Sequence, residues 1–388
     1  MSTLIFNAEV YTPLGILNPG WVWIENRKIT RVARGSPAAG LAQIAEDTID
    51  AAGHLLLPGM IDLHVHGAMG YEIMDGSIQA VQEIARFLAR HGVTAFLGAT
   101  WTATDAAILK ALDAITATYG RIDRGAALLG AYLEGPFLNP NRAGAQDINL
   151  IRQATDHEKA LLLVSNNLVR IMAIAPEYPE NIWLINACTE RGITVAAGHT
   201  AATYAQMEIA VQRGVRQLTH CFNAMTPLHH REPGVVGAGL TMPQLRCELI
   251  ADNIHVHPVV QRILYQARGV GGILLVSDCT RVTGFSDGDF ILDNRPVQVR
   301  HGAVRLMDGT LAGSTLTLDK AVHNFSRAAN IPLADAILSA SLYPAQAIGV
   351  DHQKGSLEPG KDADMFLMDD DGEIFWTMVA GEMVHIRS

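Results

Sequence analysis

The stretch LLPGMIDLHVH, residues 56–66, is an apolar run that ends in two histidines, His64 and His66. Successive side chains of a β-strand point to opposite faces, so histidines two positions apart share a face. An apolar run bounded by polar residues is typical of a buried strand. The stretch therefore predicts a buried strand that presents both imidazoles on one face near its carboxyl end.

The same pattern, an apolar run that ends in polar residues, recurs along the chain. Together with the first, the runs cover Leu56–Val65, Val93–Thr100, Leu128–Glu134, Val169–Pro176, Ile193–His199, Gln217–Phe222, Leu245–His255 and Gly272–Asp278. Amphipathic stretches such as Ser77–His91, Asp105–Tyr119 and Ala201–Arg213 separate most of them. Eight strand-helix units predict an α/β fold, a (β/α)8 TIM-like barrel over residues 56–355. An open doubly wound sheet is the alternative that this periodicity leaves.

The two ends of the chain have a different texture. Short apolar runs at Thr3–Val10, Gly20–Glu25 and Lys28–Ala33 are separated by turn residues, and similar runs return after Gly355. Chain termini often lie close together, and an isolated hairpin is only marginally stable. We therefore expect residues 1–55 and 356–388 to form one small β-sandwich domain beside the barrel.

Composition narrows the class of protein. Hydrophobic residues make up 49% of the chain and charged residues 18%, which excludes a disordered chain. A formal charge of -10 argues against nucleic acid or an anionic membrane as a partner.

The four cysteines form no CxxC pair, and no long uncharged apolar segment or basic leader is seen, so we expect a cytoplasmic protein. Cys221 and Cys279 directly follow polar strand-end residues, and strand alternation predicts that both are core residues.

Polar residues with metal-binding side chains end four of the later runs. Glu134 ends the third run, His199 the fifth, His220 the sixth and Asp278 the eighth. The carboxyl ends of barrel strands are where such folds build their active sites. Burying these groups together requires a cation or a complete hydrogen-bond network, and His and carboxylate ligands suit Zn²⁺ or Fe²⁺. We expect Glu134 to bridge two metal positions, one at the HxH pair and one at His199 and His220, with Asp278 as the proton carrier; a purely structural carboxylate is its alternative.

Several longer motifs occur along the chain in the same order as in a known family. PGMIDLHVHG, the strand-end Glu, His, His and Asp, SLYPAQAIGV and GSLEPGKDADMFLM together resemble the amidohydrolase superfamily over nearly the whole chain. Within it, LEGPFLNP, AGHTAA, THCFNAMTPLHHREPG, IADNIHVHP, LVSDCT and LAGSTLTL resemble the N-acetylglucosamine-6-phosphate deacetylases. The resemblance implies metal-dependent removal of the acetyl group from N-acetylglucosamine 6-phosphate in amino-sugar catabolism or recycling, giving glucosamine 6-phosphate and acetate.

The resemblance also implies roles for individual residues. It makes Glu134, His199 and His220 the principal metal ligands and Asp278 the catalytic acid/base, while His64 and His66 allow a second metal, so one or two are expected. The implied substrate contacts are Ala145, Asn223, Ala224, Arg231, His255, Leu311, Ala312, Gly313 and Ser314. Of these, Arg231 and His255 match phosphate-binding positions. The family is dimeric with phosphate contacts across the interface, which implies a homodimer.

The sequence departs from the family pattern at one position, and three alternative functions remain open. Gln146 stands where the family usually has histidine, which changes one implied sugar or phosphate contact and bears on the preferred epimer. An N-acetylgalactosamine 6-phosphate preference is therefore one alternative. A cyclic amide or an N-acyl amino acid as substrate is another, although Val169–Pro176 lacks the strand lysine that many cyclic-amide members carry. A scaffold without catalysis is the third, and it conflicts with six filled site positions.

Overall fold

The structure is a computed structural model that describes residues 2–387. Within these residues the strands are β1 Ser2–Thr12, β2 Gly15–Glu25, β3 Lys28–Arg34, β4 Asp47–Asp50, β5 Leu55–Pro58, β6 Met60–Val65, β7 Gly67–Ala68, β8 Tyr71–Glu72, β9 Val93–Thr100, β10 Ala127–Glu134, β11 Val169–Ile174, β12 Thr194–Ala197, β13 Val215–Leu218, β14 Arg246–Leu249, β15 Ile273–Leu275, β16 Gly288–Leu292, β17 Arg295–Arg300, β18 Ala303–Leu306, β19 Leu311–Ser314, β20 Met365–Met368, β21 Ile374–Val379 and β22 Glu382–Ile386.

The α-helices are α1 Leu41–Ile44, α2 Ile78–Ala89, α3 Asp105–Thr118, α4 His157–Val164, α5 Pro179–Glu190, α6 Tyr204–Arg213, α7 Gly234–Thr241, α8 Pro258–Arg268, α9 Leu318–Ala329, α10 Leu333–Ala336 and α11 Leu342–Ala347. Polar side chains start several of them. Ser77, Thr104 and Thr203 each accept a hydrogen bond from a first-turn backbone N–H, as N-cap residues do. At α6 the side chain of Gln206 completes a capping box with Thr203.

Eight parallel strands form the barrel, which confirms the predicted fold class. They pair in the order β6-β9-β10-β11-β12-β13-β14-β15, and every residue of β6, β9 and β10 is buried. The ring closes beyond the end of β15. There the Asp278 N–H donates to His64 O at 3.0 Å, and the His66 N–H donates to Cys279 O at 3.0 Å.

The run Leu56–Val65, expected as one strand, is two strands with different partners. β5 pairs with β1 and β20 in the terminal sheet, whereas β6 enters the barrel. The division falls at Gly59, where a β-carbon would lie 2.1 Å from Thr94 Oγ1. A larger residue does not fit there, so glycine lets the chain pass closely against β9.

Strands from both chain ends form one sheet, as the sequence predicted for the small β-unit. The order is β22-β21-β20-β5-β1-β2-β3, with β4 beside β1. The sheet is continuous and curls back on itself. An antiparallel bridge between Lys28, at the start of β3, and Asp362, just before β20, joins two parts of the sheet that are not neighbours in the strand order. Its apolar residues, among them Ile5, Val22 and Met365, form a hydrophobic cluster that is separate from the barrel core.

A four-stranded antiparallel sheet, β16 to β19, interrupts the predicted barrel after its eighth strand. The turn between β16 and β17 is Asp293-Asn294, and both residues have positive φ, 49° and 58°. Two consecutive residues with positive φ between antiparallel strands make a tight hairpin turn. The last strand, β19, returns to the barrel, where the Ser314 N–H donates to Asp278 O at 2.8 Å. This sheet therefore forms a wall beside the carboxyl ends of the barrel strands.

Across residues 2–387, no helix has both the length and the apolar character needed to cross a membrane.

Candidate metal centre and active site

The carboxyl ends of the barrel strands bring the predicted metal ligands together. His64 lies in β6 and His66 just beyond it, Glu134 ends β10, and His199 and His220 follow β12 and β13 by two residues. Because parallel strands end at the same rim, residues far apart in sequence converge. Five side chains with ligand atoms thus meet at one end of the barrel.

Three of the strand-end residues have an uncommon backbone conformation. His199, His220 and Asp278 have φ values of 45°, 30° and 51°. Non-glycine residues in the left-handed region cost on the order of 1–3 kcal/mol each and persist where the surroundings impose them. The chain therefore holds these side chains toward the site at a local conformational cost.

Glu134 lies at the centre of the cluster. Its Oε1 is 3.1 Å from His199 Nε2 and 2.9 Å from His220 Nε2, while its Oε2 is 3.3 Å from His66 Nε2. The carboxylate thus joins two groups, His64 with His66 and His199 with His220. In each group together with Glu134, all ligand atoms lie within 4.8 Å of one another.

The donor set fits a divalent metal ion. In each histidine pair the two Nε2 atoms face each other at 3.1 Å and also face the Glu134 carboxylate. All five side chains are nearly or fully buried, so water cannot compensate their charges. Imidazole and carboxylate ligands are those of zinc and non-haem iron.

A second layer of contacts orients the imidazoles. His64 Nδ1 is 3.1 Å from Glu248 Oε2, and the same oxygen accepts the His220 N–H at 3.0 Å. His199 Nδ1 lies 2.8 Å from Arg142 O, which can only accept, so its Nδ1–H donates there. That tautomer leaves the Nε2 lone pair of His199 directed at the metal position, as in many metal sites.

The two acidic residues of the site are held in their ionised form. Burial raises the pKa of Glu134, but the imidazoles of His64, His199 and His220 outweigh it and hold that pKa well below its ordinary value. Burial also raises the pKa of Asp278, and the hydrogen bond with His66 and the charge of His64 outweigh it, so the net shift is downward. Asp278 Oδ1 lies 3.2 Å from His66 Nε2. A carboxylate in this state can accept a proton.

A cavity of about 320 Å³ opens onto the cluster. Its volume suits a small ligand such as a monosaccharide derivative. Candidate metal ligands form its floor, and the β16 to β19 sheet contributes one wall. The lining comprises His66, Trp101, Glu134, Asn141, Arg142, Gly144, Ala145, Gln146, His199, His220, Asn223, Ala224, Ile250, His255, Asp278, Leu292, Arg295, Thr310, Leu311, Ala312 and Gly313.

Most of the expected substrate contacts line this cavity, and two do not. The cavity holds Ala145, Asn223, Ala224, His255, Leu311, Ala312 and Gly313. Ser314 is buried behind the wall, where its hydroxyl donates to Ser277 O at 2.6 Å. Arg231 is exposed outside the cavity, with Nη1 2.7 Å from His230 Nε2. The two cysteines beside the site, Cys221 and Cys279, lie in the barrel core as predicted.

The structure adds site residues that the sequence interpretation missed. Trp101 stacks on His66 with ring centroids 4.7 Å apart, and it directly follows the second apolar run, which was an available signal. Glu248, the partner of His64, is fully buried within β14. Arg295 reaches the cavity from the unexpected sheet and donates to Ala145 O at 2.6 Å. Arg142 also lines the cavity, and no spacing rule marks either arginine.

Comparison with known proteins agrees with this geometry. Residues 55–384 match the amidohydrolase family. An N-acetylglucosamine-6-phosphate deacetylase from Vibrio furnissii is 40% identical over 330 residues, 85% of this chain and 82% of its own. An N-acetylgalactosamine-6-phosphate deacetylase from Escherichia coli O157:H7 is 38% identical over 362 residues, 93% of this chain and 95% of its own.

Solved structures show the same similarity. The crystal structure of N-acetylglucosamine-6-phosphate deacetylase from Pasteurella multocida superposes with a TM-score of 0.92 at 28% identity, covering 100% of both chains. A mutant of the Mycobacterium smegmatis deacetylase, solved in complex with N-acetyl-D-glucosamine-6-phosphate, gives a TM-score of 0.90 at 29% identity and covers 99% of both chains.

Proposed function

The chain belongs to the amidohydrolase family, and from this premise we propose that it hydrolyses the acetamide of N-acetylglucosamine 6-phosphate to glucosamine 6-phosphate and acetate. The observation that carries the proposal is the cluster of Glu134, His199, His220 and Asp278 at the floor of a sugar-sized cavity. Relatives named for this reaction cover most of the chain. An amino-sugar deacetylase of this kind serves catabolism or recycling.

The proposed cofactor is Zn²⁺ or Fe²⁺, one or two ions per subunit. Glu134, His199 and His220 would hold the first ion, and His64 and His66 would share Glu134 with a second. Such an ion supplies Lewis acidity toward the acetamide carbonyl and the attacking water. The donor set supports both zinc and iron, because imidazole suits either metal.

Asp278 carries the proton through the reaction. Its ionised carboxylate faces the cavity and takes one proton from the attacking water as oxygen adds to the acetamide carbon. It then gives that proton to the sugar nitrogen as the carbon–nitrogen bond breaks, so acetate and the amine leave. Asp278 Oδ1 lies 3.2 Å from His66 Nε2, which places this carboxylate beside the proposed metal ligands.

The substrate phosphate is proposed to meet His255 of one subunit and Arg231 of its partner in a homodimer. His255 lines the cavity, and its Nδ1 is 2.6 Å from Asp252 Oδ2, which leaves Nε2 for the ligand. Arg231 is exposed outside the cavity of its own chain, beside Leu228, which is 56% exposed. An exposed arginine and leucine on one loop suit a subunit contact, and an arginine fork suits phosphate.

N-acetylgalactosamine 6-phosphate is a second candidate substrate. The E. coli O157:H7 relative named for that sugar is 38% identical over nearly the whole chain. Gln146, which departs from the family's usual histidine, lines the cavity and bears on the preferred epimer.

The first experiment measures acetate release as kcat/KM for three sugars: N-acetylglucosamine 6-phosphate, its galactosamine epimer and unphosphorylated N-acetylglucosamine. We expect kcat/KM for N-acetylglucosamine 6-phosphate to exceed that for the unphosphorylated sugar by orders of magnitude. Each factor of ten corresponds to about 1.4 kcal/mol of activation free energy. A higher value for the epimer would replace the sugar assignment. No turnover of any of the three by metal-replete protein would refute the substrate class.

The reducing cytoplasm is the proposed compartment. All four cysteines are buried as free thiols, which suits an environment where disulfides do not form.

A further inference from the structure

Gln146 has a side-chain amide fixed by two short hydrogen bonds. Its Oε1 accepts from the Thr102 N–H at 2.7 Å, and its Nε2 donates to Glu134 Oε2 at 2.7 Å. A backbone N–H can only donate, so the atom facing Thr102 must be the amide oxygen. The amide orientation is therefore determined, and the NH2 group must face Glu134.

The two oxygens of Glu134 have different surroundings. Oε1 lies between the Nε2 atoms of His199 and His220, at 3.1 and 2.9 Å. Oε2 lies 3.3 Å from His66 Nε2, and the Gln146 amide approaches it more closely, at 2.7 Å. His64 Nε2 is also nearest to Oε1, at 3.7 Å. Oε1 thus faces three imidazoles, whereas Oε2 is held by Gln146 and faces His66.

The loop that carries Gln146 is itself held in place. Arg295 Nη2 donates to Ala145 O at 2.6 Å from the β16 to β19 sheet. Gly144, with φ 56°, packs so closely that a β-carbon there would lie 3.3 Å from His199 Cε1. Contacts on both sides therefore deliver the amide to Glu134 in a fixed position.

We propose that Gln146 is a positioning residue that fixes the rotation of the Glu134 carboxylate, so that Oε2 faces His66 at the His64 and His66 position. In this role it strengthens metal binding at that position more than at the His199 and His220 position. The inference rests on the proposed function in one respect, since it takes the two histidine pairs as metal sites.

The physical basis is the difference between a held and a free carboxylate. Loss of the Gln146 donor releases Oε2, whereas Oε1 keeps its close contacts with His199 and His220. Changes of outer-shell partners cost about 10- to 100-fold in metal affinity. That loss should fall mainly on the metal held by His64 and His66.

The test is a titration of metal-free protein with Co²⁺, followed by visible absorption and by calorimetry. The wild-type protein should bind in two steps. Gln146→Met keeps the side-chain length without the amide, and it should weaken the second step by about 10- to 100-fold while the first changes much less. Gln146→Ala is a second variant, in case methionine packs poorly at this position. It removes the same two hydrogen bonds and should give the same shift.

Gln212→Ala, on an exposed position of α6, is the matched control and should titrate as the wild type. A single binding step in the wild type, or equal weakening of both steps in both Gln146 variants, would overturn the inference. So would unchanged titrations in both variants. The titration contains no substrate, so it stands apart from the proposed function, whose failure is detected by acetate release from the wild-type protein.

Discussion

Asp278 is the residue whose replacement separates chemistry from folding. Asp278→Asn keeps the shape of the side chain but removes the proton acceptor, so we expect kcat to fall by about 10²- to 10⁴-fold, the usual contribution of a general acid/base. Metal content measured on the purified variant should stay at the wild-type level, because Glu134 and the histidines remain. Near-normal acetate release by this variant would disprove the assigned role.

At the residue level, the sequence predicted the cluster of candidate metal ligands because each of them lies at a strand end, a position that local periodicity reveals. His64, His66 and Glu134 follow from this rule. Glu248 does not, because its partner His64 is 184 residues away and only the closed ring brings them together. Gln146 was visible only as a departure from the family pattern, and its two hydrogen bonds depend on tertiary contacts.

At the element level, a buried ion cluster joins the terminal sheet to the end of the barrel. Lys354 Nζ lies 2.6 Å from Asp364 Oδ2 and 2.9 Å from Asp362 Oδ2, and Asp362 also pairs with Lys28 of β3. Asp364 Oδ1 accepts the Ala380 N–H, which fixes the turn between β21 and β22. The Lys354 side chain is only 10% exposed.

Lys354→Met should destabilise the protein strongly, by about 3 kcal/mol, because it leaves two carboxylates without their buried partner. The urea midpoint measures this loss. Lys159→Met, which removes an exposed ion pair with Asp156, is the matched control and should change the midpoint little. Equal midpoints for the two variants would contradict the assigned role of the cluster.

The same cluster predicts a dependence of stability on pH. Burial lowers the pKa of Lys354, but Asp364 and Asp362 outweigh it and raise that pKa above its ordinary value. The stabilising contribution is therefore complete below the unfolded-state pKa and is lost as pH rises through the folded-state pKa. The difference in urea midpoint between the wild type and Lys354→Met should be constant at neutral pH and shrink in strongly alkaline buffer. A difference that grew with pH would oppose this sign.

The elements themselves were predictable where apolar runs are long. All eight barrel strands lie within or beside the expected runs, whereas the β16 to β19 sheet was not expected. Its strands alternate between exposed and buried residues, as in the burial of β17, and a tight Asp293-Asn294 turn joins two of them. That local signal was present, but eight completed strand-helix units gave no reason to expect another sheet after the last strand.

At the scale of the whole molecule, the proposed dimer can be tested by mixing two inactive variants. Arg231→Ala would lack the proposed phosphate contact, and Asp278→Asn would lack the proposed proton carrier. If Arg231 acts across the interface, a hybrid dimer contains one intact site, and random exchange should restore about one quarter of wild-type activity. If Arg231 serves its own chain, a hybrid contains no intact site.

The measurement is acetate release after the two variants are dissociated together and reassembled. Each variant reassembled alone is the control and should stay inactive. Absence of recovery in the mixture, with dimers formed, would refute the shared site.

The division into a terminal domain, residues 1–55 and 356–388, and a barrel, residues 56–355, stays a prediction. Only Gly59 separates β5 in the terminal sheet from β6 in the barrel. The Lys354 cluster adds a second connection at the other end of the chain. We therefore expect the two units to unfold together in one transition.

The ring of barrel strands is joined through the backbone of Asp278. Its N–H bonds to His64 O in the first strand, and its C=O accepts from Ser314 of the wall. A fluctuation that opens the ring here would move the Asp278 carboxylate, the proposed proton carrier, away from the histidines. We therefore expect activity to require a closed ring, and we expect the amide hydrogen of Asp278 to exchange slowly with solvent in the active protein.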